Sequence, residues 1–374
     1  MKGSKIHFIW QDQQALRHFR TGVSLHSHTM HSQECLSFLP RYLHMVPGVS
    51  QFVRRYERPR PGPRPAVDFA RAYWTPPLSP ASALRLERKQ IEGFGLQPMV
   101  SLTDHDDIEA PMALQVASER DDVPISVEWT VPYEGSILHL GIHNLPPSQE
   151  RTWMEVLSAH TSAPNEAFLP EILRTLNQIP DALIVLNHPF WLEEGVNEDQ
   201  HALALERLLR DCLEWIHAFE LNATRPWKEN AATVTLARAY SRPVISGGDR
   251  HGGEPNADIN LTNAASFSEF VTEIREGAST VLFMQQYRDP RALRILETAW
   301  DILRPYPEYP GRQRWIDRIF YRGQDNVARP LSEIWNQGAP WTLHGAAGVV
   351  QVLASRQLRG AMRLLLMERG EALP

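Results

Sequence analysis

The chain has 374 residues, enough for two average domains or one large α/β barrel with additions. Its net charge of −6 argues against the basic surface that nucleic-acid binding uses. Two cysteines, Cys35 and Cys212, exclude a disulfide framework and point to a reducing cytoplasm. No run approaches the roughly 20 apolar residues of a membrane helix, and the N-terminus, MKGSKIHFIWQDQQ, lacks the features of a signal peptide.

A short strand is predicted over residues 6–10, followed by a polar turn or helix. Residues 21–34, TGVSLHSHTMHSQE, open with a strand-like run and then place His26 and His28 two apart. Alternate residues of a strand share a face, so both imidazoles can meet one cation. Residues 35–77 differ in kind: they are rich in Pro and Arg, and RPRPGPRP fits neither helix nor central strand. They read as an insertion, ordered in part by Phe38, Tyr42, Phe52, Tyr73 and Trp74 and lying as a lid over the pocket. Ser79 and Pro80 are suited to cap and begin a helix that runs to about residue 92 and stops at Gly93-Phe94-Gly95.

Regular alternation follows. Strands are predicted over 98–105, 123–131, 136–143, 182–189, 218–223 and 243–249, and helices over 110–120, 150–160, 166–178, 200–215 and 229–240. Such alternation signals a parallel sheet with crossover helices. With the strand before His26 the series holds seven principal strands, which favours closure into a barrel, and residues 280–284 are a candidate late addition. The tail, 290–374, loses the alternation and reads as amphipathic helices, for example over 291–303, 332–335 and 349–367. The expectation is a helical appendage packed on the barrel, with a surface for homo-oligomerisation as the alternative.

In α/β barrels the chemistry sits at the C-terminal ends of the strands. Here those ends carry His26 and His28, then Asp104 and His105, Glu128, His139, His188, and finally Asp249 and His251. A single His-x-His is weak evidence in a chain with 15 histidines, but a series of imidazoles and carboxylates at successive strand ends is far more specific. Imidazole and carboxylate without thiolate suit catalytic Zn, Mn or Fe rather than a closed structural zinc site. So many donors exceed one tetrahedral ion and imply two or three divalent metal ions. His143 rivals His139, because both lie on the same side of one strand. Asp104 and Asp106 read as groups orienting His105, and Asp104 is also a candidate acid for a leaving oxygen. Arg225 and Arg250 are candidate phosphate ligands, with an ordinary salt bridge as the alternative for each.

The matching stretches are LHSHTMHS (25–32), LTDHD (102–106), the pair Glu128 and His139, NHP (187–189) and GGDRH (247–251). In this order they resemble the PHP (polymerase and histidinol phosphatase) superfamily of metal-dependent phosphoesterases, over about residues 21–285. The resemblance implies a distorted TIM-like (β/α)7 barrel over 1–289, with the insertion at about 35–77 and a helical extension over 290–374. It implies that His26, His28, Glu128 and Asp249 hold one ion, and Glu128, His139 and His188 a second. His105 and His251 would hold a third with a residue just after the first motif. There the chain departs from the family, which usually has Asp or His where this sequence reads Gln33-Glu34; Glu34 is assigned as the ligand. The implied activity is hydrolysis of a small-molecule phosphate mono- or diester by a hydroxide held between the ions. One alternative is an amidohydrolase-like enzyme acting on a C–N or C–O bond, although no lysine stands at a strand end to be carboxylated. Another is a metal-binding module with a decayed site.

Overall fold

The computed structural model describes residues 3–36, 71–118, 123–193, 195–335, 341–355, 357–365 and 373. Most of the predicted insertion, including Phe38, Tyr42 and Phe52, lies outside these residues, as do residues 366–367 of the last predicted helix.

The strand β1 (Ser4–Phe8) is followed by β2 (Thr21–Ser24), which leads directly into His26 and His28. Two short strands, β3 (Glu34–Cys35) and β4 (Ala72–Trp74), flank the inserted segment. Helix α1 (Pro80–Glu92) begins as the sequence indicates: Ser79 Oγ accepts from the Ser82 N–H and Pro80 occupies the first turn. Such a cap contributes about 1 kcal/mol. The chain continues through β5 (Gln97–Val100), α2 (Glu109–Ser118), the hairpin β6 (Ile125–Tyr133) and β7 (Ser136–Leu145), and then α3 (Glu150–Ser162) and α4 (Leu169–Asn177). Next come β8 (Leu183–Asn187), α5 (Glu198–Cys212), β9 (Ala218–Asn222), α6 (Trp227–Ala239) and β10 (Val244–Gly247). Two strands, β11 (Asp258–Thr262) and β12 (Ser279–Phe283), enclose α7 (Phe267–Arg275).

The predicted closed barrel is replaced by two five-stranded sheets, ordered β1-β12-β11-β2-β5 and β10-β9-β8-β7-β6. Nor are the strands all parallel, since β7 runs antiparallel to both β6 and β8, and β11 runs antiparallel to both β12 and β2. The sheets are stitched together where the strands end, by isolated bridges between Ser27 and Arg250 and between His105 and Glu128. Along the rest of one seam a side chain stands in for the ladder. Asn260 of β11 accepts from the Ser246 N–H and donates to the carbonyls of Ser246 and Val23. A backbone ladder between β10 and β2 is therefore interrupted, and the buried peptide groups at the seam are satisfied by a carboxamide instead.

Between the sheets, Val23 and Leu25 pack on Leu183, Val185, Ala218 and Ile245, with Phe270 and Ile274 of α7 closing the cluster. A larger core lies between the second sheet and α3 to α6. Full burial of each such aliphatic side chain contributes roughly 1.5–3 kcal/mol. β8, β9 and β10 are buried at every position, which gives the nearly continuous apolar runs seen in their sequence.

The tail departs from the helical expectation. It opens with α8 (Arg291–Leu303) and the single turn α9 (Trp315–Arg318), but then forms β13 (Ile319–Arg322) and β14 (Ala328–Pro330). These pair into a third, antiparallel sheet ordered β14-β13-β4-β3. The short α10 (Leu331–Ile334), α11 (Trp341–Leu353) and α12 (Arg359–Leu365) complete the described chain. Among the described residues no helix is long and apolar enough to cross a membrane. Cys35 is exposed and Cys212 is buried, and the two are not joined in a disulfide.

Candidate metal centre

All nine predicted donors meet in one place, where the ends of β2, β5, β8 and β10 converge on β6, β7 and β3. Four groups of potential ligand atoms form, each within 4.8 Å: His26, His28 and Asp249; His28, His105 and Glu128; His28, Glu34 and His251; and Glu128, His139 and His188.

Glu128 is the hub. It is fully buried on β6, and its two carboxylate oxygens face different histidines. Oε2 lies 2.9 Å from His26 Nε2, 3.3 Å from His105 Nε2 and 3.4 Å from His28 Nε2. Oε1 lies 3.0 Å from His188 Nε2 and 3.8 Å from His139 Nδ1, and accepts from Asn187 Nδ2 at 3.0 Å. On the far side of His28, Asp249 Oδ1 is 3.5 Å from His28 Nε2 and 3.5 Å from His251 Nδ1. Glu34 Oε2 lies 3.2 Å from His251 Nε2 and 3.6 Å from His105 Nε2.

The donor set fits cations. His26 Nδ1 lies 2.9 Å from Glu220 Oε2, so the neutral ring keeps its proton on Nδ1 and turns the Nε2 lone pair inward. That lone pair meets Glu128 Oε2 at 2.9 Å and His28 Nε2 at 3.0 Å, an array of acceptors that needs protons or metal ions between them. Three buried carboxylates beside four buried and two partly buried imidazoles are tolerable only when paired in this way or when coordinating a metal.

The charges respond accordingly. Burial opposes ionisation of Glu128 and Asp249, but the surrounding imidazoles outweigh it and hold both carboxylates well below their ordinary range. His251 moves the other way: despite burial, Glu34 and Asp249 raise it to about 10. Burial, with His251 alongside, lowers His28 to about 4. The backbone is strained at the same place. His188 and Asp249 have φ of 26° and 51°, the left-handed region that non-glycine residues avoid. Such conformations cost on the order of 1–3 kcal/mol each and cluster at functional sites.

Two predicted catalytic groups do not face the centre. Asp104 is fully buried, and its oxygens accept from the Thr29 N–H at 2.5 Å and from Thr29 Oγ1 at 2.6 Å. It fastens the turn after His28, and burial raises its carboxyl to about 7 against the two bonds from Thr29. Arg250 points away, donating to Glu87 Oε1 of α1 at 3.0 Å and to the Gly252 carbonyl. Its charge is spent on packing against Glu87 rather than aimed at a phosphate. Arg225 does lie at the rim, 3.9 Å from Asp249 Oδ2, with its guanidinium 3.7 Å from the Trp191 ring centroid.

Sequence reasoning missed the layer behind the ligands. Glu220 orients His26 and accepts from Asn222 Nδ2 at 2.7 Å. A side chain opposite would exclude it: a Cβ on Gly247 would lie 2.2 Å from Glu220 Cδ. Asn222 and Thr224 donate to Asp249 Oδ2, and Ser32 donates to Glu34 Oε1. A glutamate inside the apolar run of β9 was the available signal for Glu220.

Two histidines outside the centre are structural. His143 bonds Ser101 Oγ at 2.9 Å, which decides the rivalry in favour of His139 as the residue beside Glu128. His217 accepts from the Ile184 N–H at Nδ1, which leaves Nε2 to donate to Asn177 Oδ1. Burial, helped by Arg275 and Arg242, lowers His217 to about 3. The unfolded chain therefore binds a proton there that the fold excludes. Stability from this group is complete above about pH 6.5 and is lost as pH falls toward about 3, by at most about 1.4 kcal/mol per pH unit. Denaturant melts of His217→Asn are expected to show a shallower acid dependence by up to one proton; an unchanged slope would remove His217 from this account.

No family model and no curated protein matches the chain. Among solved structures, PsfC from Pseudomonas syringae is 15% identical, with a TM-score of 0.41, covering 74% of this chain and 96% of its own. An amidohydrolase from Chromobacterium violaceum is 13% identical, with a TM-score of 0.32, covering 47% of this chain and 83% of its own. A protein from Bifidobacterium adolescentis, provisionally described as a metal-dependent phosphoesterase, is 16% identical, with a TM-score of 0.33, covering 54% of this chain and 92% of its own. Likeness at this level carries no functional argument, and the reading below rests on the nine converging side chains.

Proposed function

We propose that this chain is a metal-dependent hydrolase and, within that class, a phosphoesterase of the PHP type acting on a small phosphate mono- or diester. In this reading the two stitched sheets are an opened form of the seven-stranded barrel. The observation that carries it is the meeting of six histidines and three carboxylates, drawn from strands and from the turns that leave them, across more than 200 residues of sequence. His26, His28 and Asp249 would hold one ion and Glu128, His139 and His188 another, with Glu128 serving both through its two oxygens. Glu34, His251 and His105 would hold a third. Divalent ions bound there activate water and stabilise charge on phosphoryl oxygens.

The chain's own residues supply the rest. Glu220 fixes the tautomer and angle of His26. Asn187 and His188 hold the outer oxygen of Glu128, so the carboxylate cannot rotate away from either histidine set. Arg225, braced flat against Trp191 and next to Asp249, is positioned to grip an anionic oxygen of a substrate. The absence of lysine from the nine donors favours phosphate esters over the amidohydrolase alternative. The test is a panel of phosphate mono- and diesters beside amides and lactones, run on protein loaded with Mn²⁺ or Zn²⁺. Phosphate-ester turnover that His26→Ala abolishes is expected. Turnover of amides or lactones alone, or equal rates in both proteins, would contradict the reading.

A further inference from the structure

Eight of the nine donors stand on the two large sheets or on the turns that leave them. Glu34 is the exception, because it lies in β3 of the third sheet, opposite Trp74 of β4, which in turn lies opposite Ile319 of β13. The loop that carries the chain from His28 to Glu34 is fastened from the same direction. The Met30 N–H donates to the Leu78 carbonyl, while the Met30 carbonyl accepts from Arg312 Nη1 at 2.8 Å. The same nitrogen donates to Thr75 Oγ1 at 3.2 Å. Farther along the loop, Arg322 Nη2 donates to Gln33 Oε1 at 3.2 Å. Arg312 is itself held in place: the buried Arg318 donates to the Arg312 carbonyl at 2.7 Å and to the carbonyls of Ile302 and Arg304.

We infer that residues 312–322 are a working part of the metal centre, and that Arg312 is a positioning residue for Glu34. The ion held by Glu34 and His251 is thereby governed by the C-terminal segment, while the ions grouped on Glu128 are not. The inference rests on the metal-site reading above. A planar, permanently charged guanidinium suits the task, since it reaches two oxygens from one rigid fork. Without it the Met30 carbonyl loses its partner and the loop gains freedom, so Glu34 reaches its binding position in only a fraction of molecules. That fraction multiplies directly into the apparent affinity of the one ion.

The experiment is titration of Mn²⁺ and of Zn²⁺ into the full chain, with ions per chain counted by elemental analysis after dialysis. Arg312→Ala is expected to weaken one ion by about 10–100-fold, the range for groups that orient metal ligands, and to leave the others within a few-fold of wild type. Glu34→Gln is expected to lose that same ion, and the double variant to be no worse than Glu34→Gln alone. Wild-type affinities in Arg312→Ala, with one ion lost in Glu34→Gln, would overturn the inference and leave the metal-site reading intact. Retention of every ion in Glu34→Gln would instead overturn the three-ion reading itself. If Arg312→Ala does not fold, Thr75→Val combined with Arg322→Ala is judged by the same criteria.

Discussion

Glu128→Gln is expected to empty the centre of more than one ion and to abolish turnover. The substitution keeps size and shape but replaces one oxygen by an NH₂ group, which cannot ligate. Because Oε2 faces His26, His28 and His105 while Oε1 faces His188 and His139, whichever position the NH₂ takes disables one histidine set. The loss of negative charge weakens the other set too. Both effects act at a fully buried carboxylate, where one charge counts for far more than at a surface. The loss of activity should exceed the roughly 10–100-fold that follows from disturbing a group behind the ligands. Elemental analysis and steady-state kinetics on the same preparation check this. Full metal content in Glu128→Gln would mean that the carboxylate is merely a partner for buried imidazolium groups.

Glu220→Ala tests the layer behind the ligands. Glu220 stands behind the proposed ions and, among the described residues, fixes His26 Nδ1. Removing it lets the ring adopt the other tautomer, with its proton on the nitrogen that should face the metal. Ion affinity at the group of His26, His28 and Asp249 is expected to fall by about 10–100-fold. Activity should return in part at metal concentrations well above those the wild type needs. Glu220→Gln, which can still accept from His26 through its carbonyl oxygen, should fall between. Identical affinity in the alanine variant would show that His26 is oriented by packing alone.

The centre was legible because strand ends are marked in the sequence by an abrupt change. Apolar runs such as LIVLN and VISG stop at His188 and Asp249, and chemistry-bearing residues just past such stops face one mouth of the fold. What the sequence concealed were contacts between distant segments. Arg250 stands between two donors, but its direction is set by Glu87, 163 residues earlier on α1. Asp104 precedes His105, yet neighbours on extended chain point to opposite sides, and Asp104 turns toward Thr29. β11 was invisible for a related reason. Its letters, DINLT, alternate like a half-exposed strand, but both faces are buried, and Asn260 and Asp258 pair with β10 across the seam. That seam also separates the observed pair of sheets from the closed barrel that strand counting favours. The tail strands were hidden because β13 and β14 are short and only partly buried, so they bear no apolar signature.

The most direct measurement is an anomalous difference map at the Mn or Zn absorption edge, from crystals of protein grown with that metal. Peaks are expected inside the nine-residue cluster, for zinc about 2.0–2.1 Å from the nitrogens of His26, His28, His139 and His188, with one on each side of Glu128. Crystals with metal in the solution, clear density for all nine side chains and no anomalous peak among them would contradict the account.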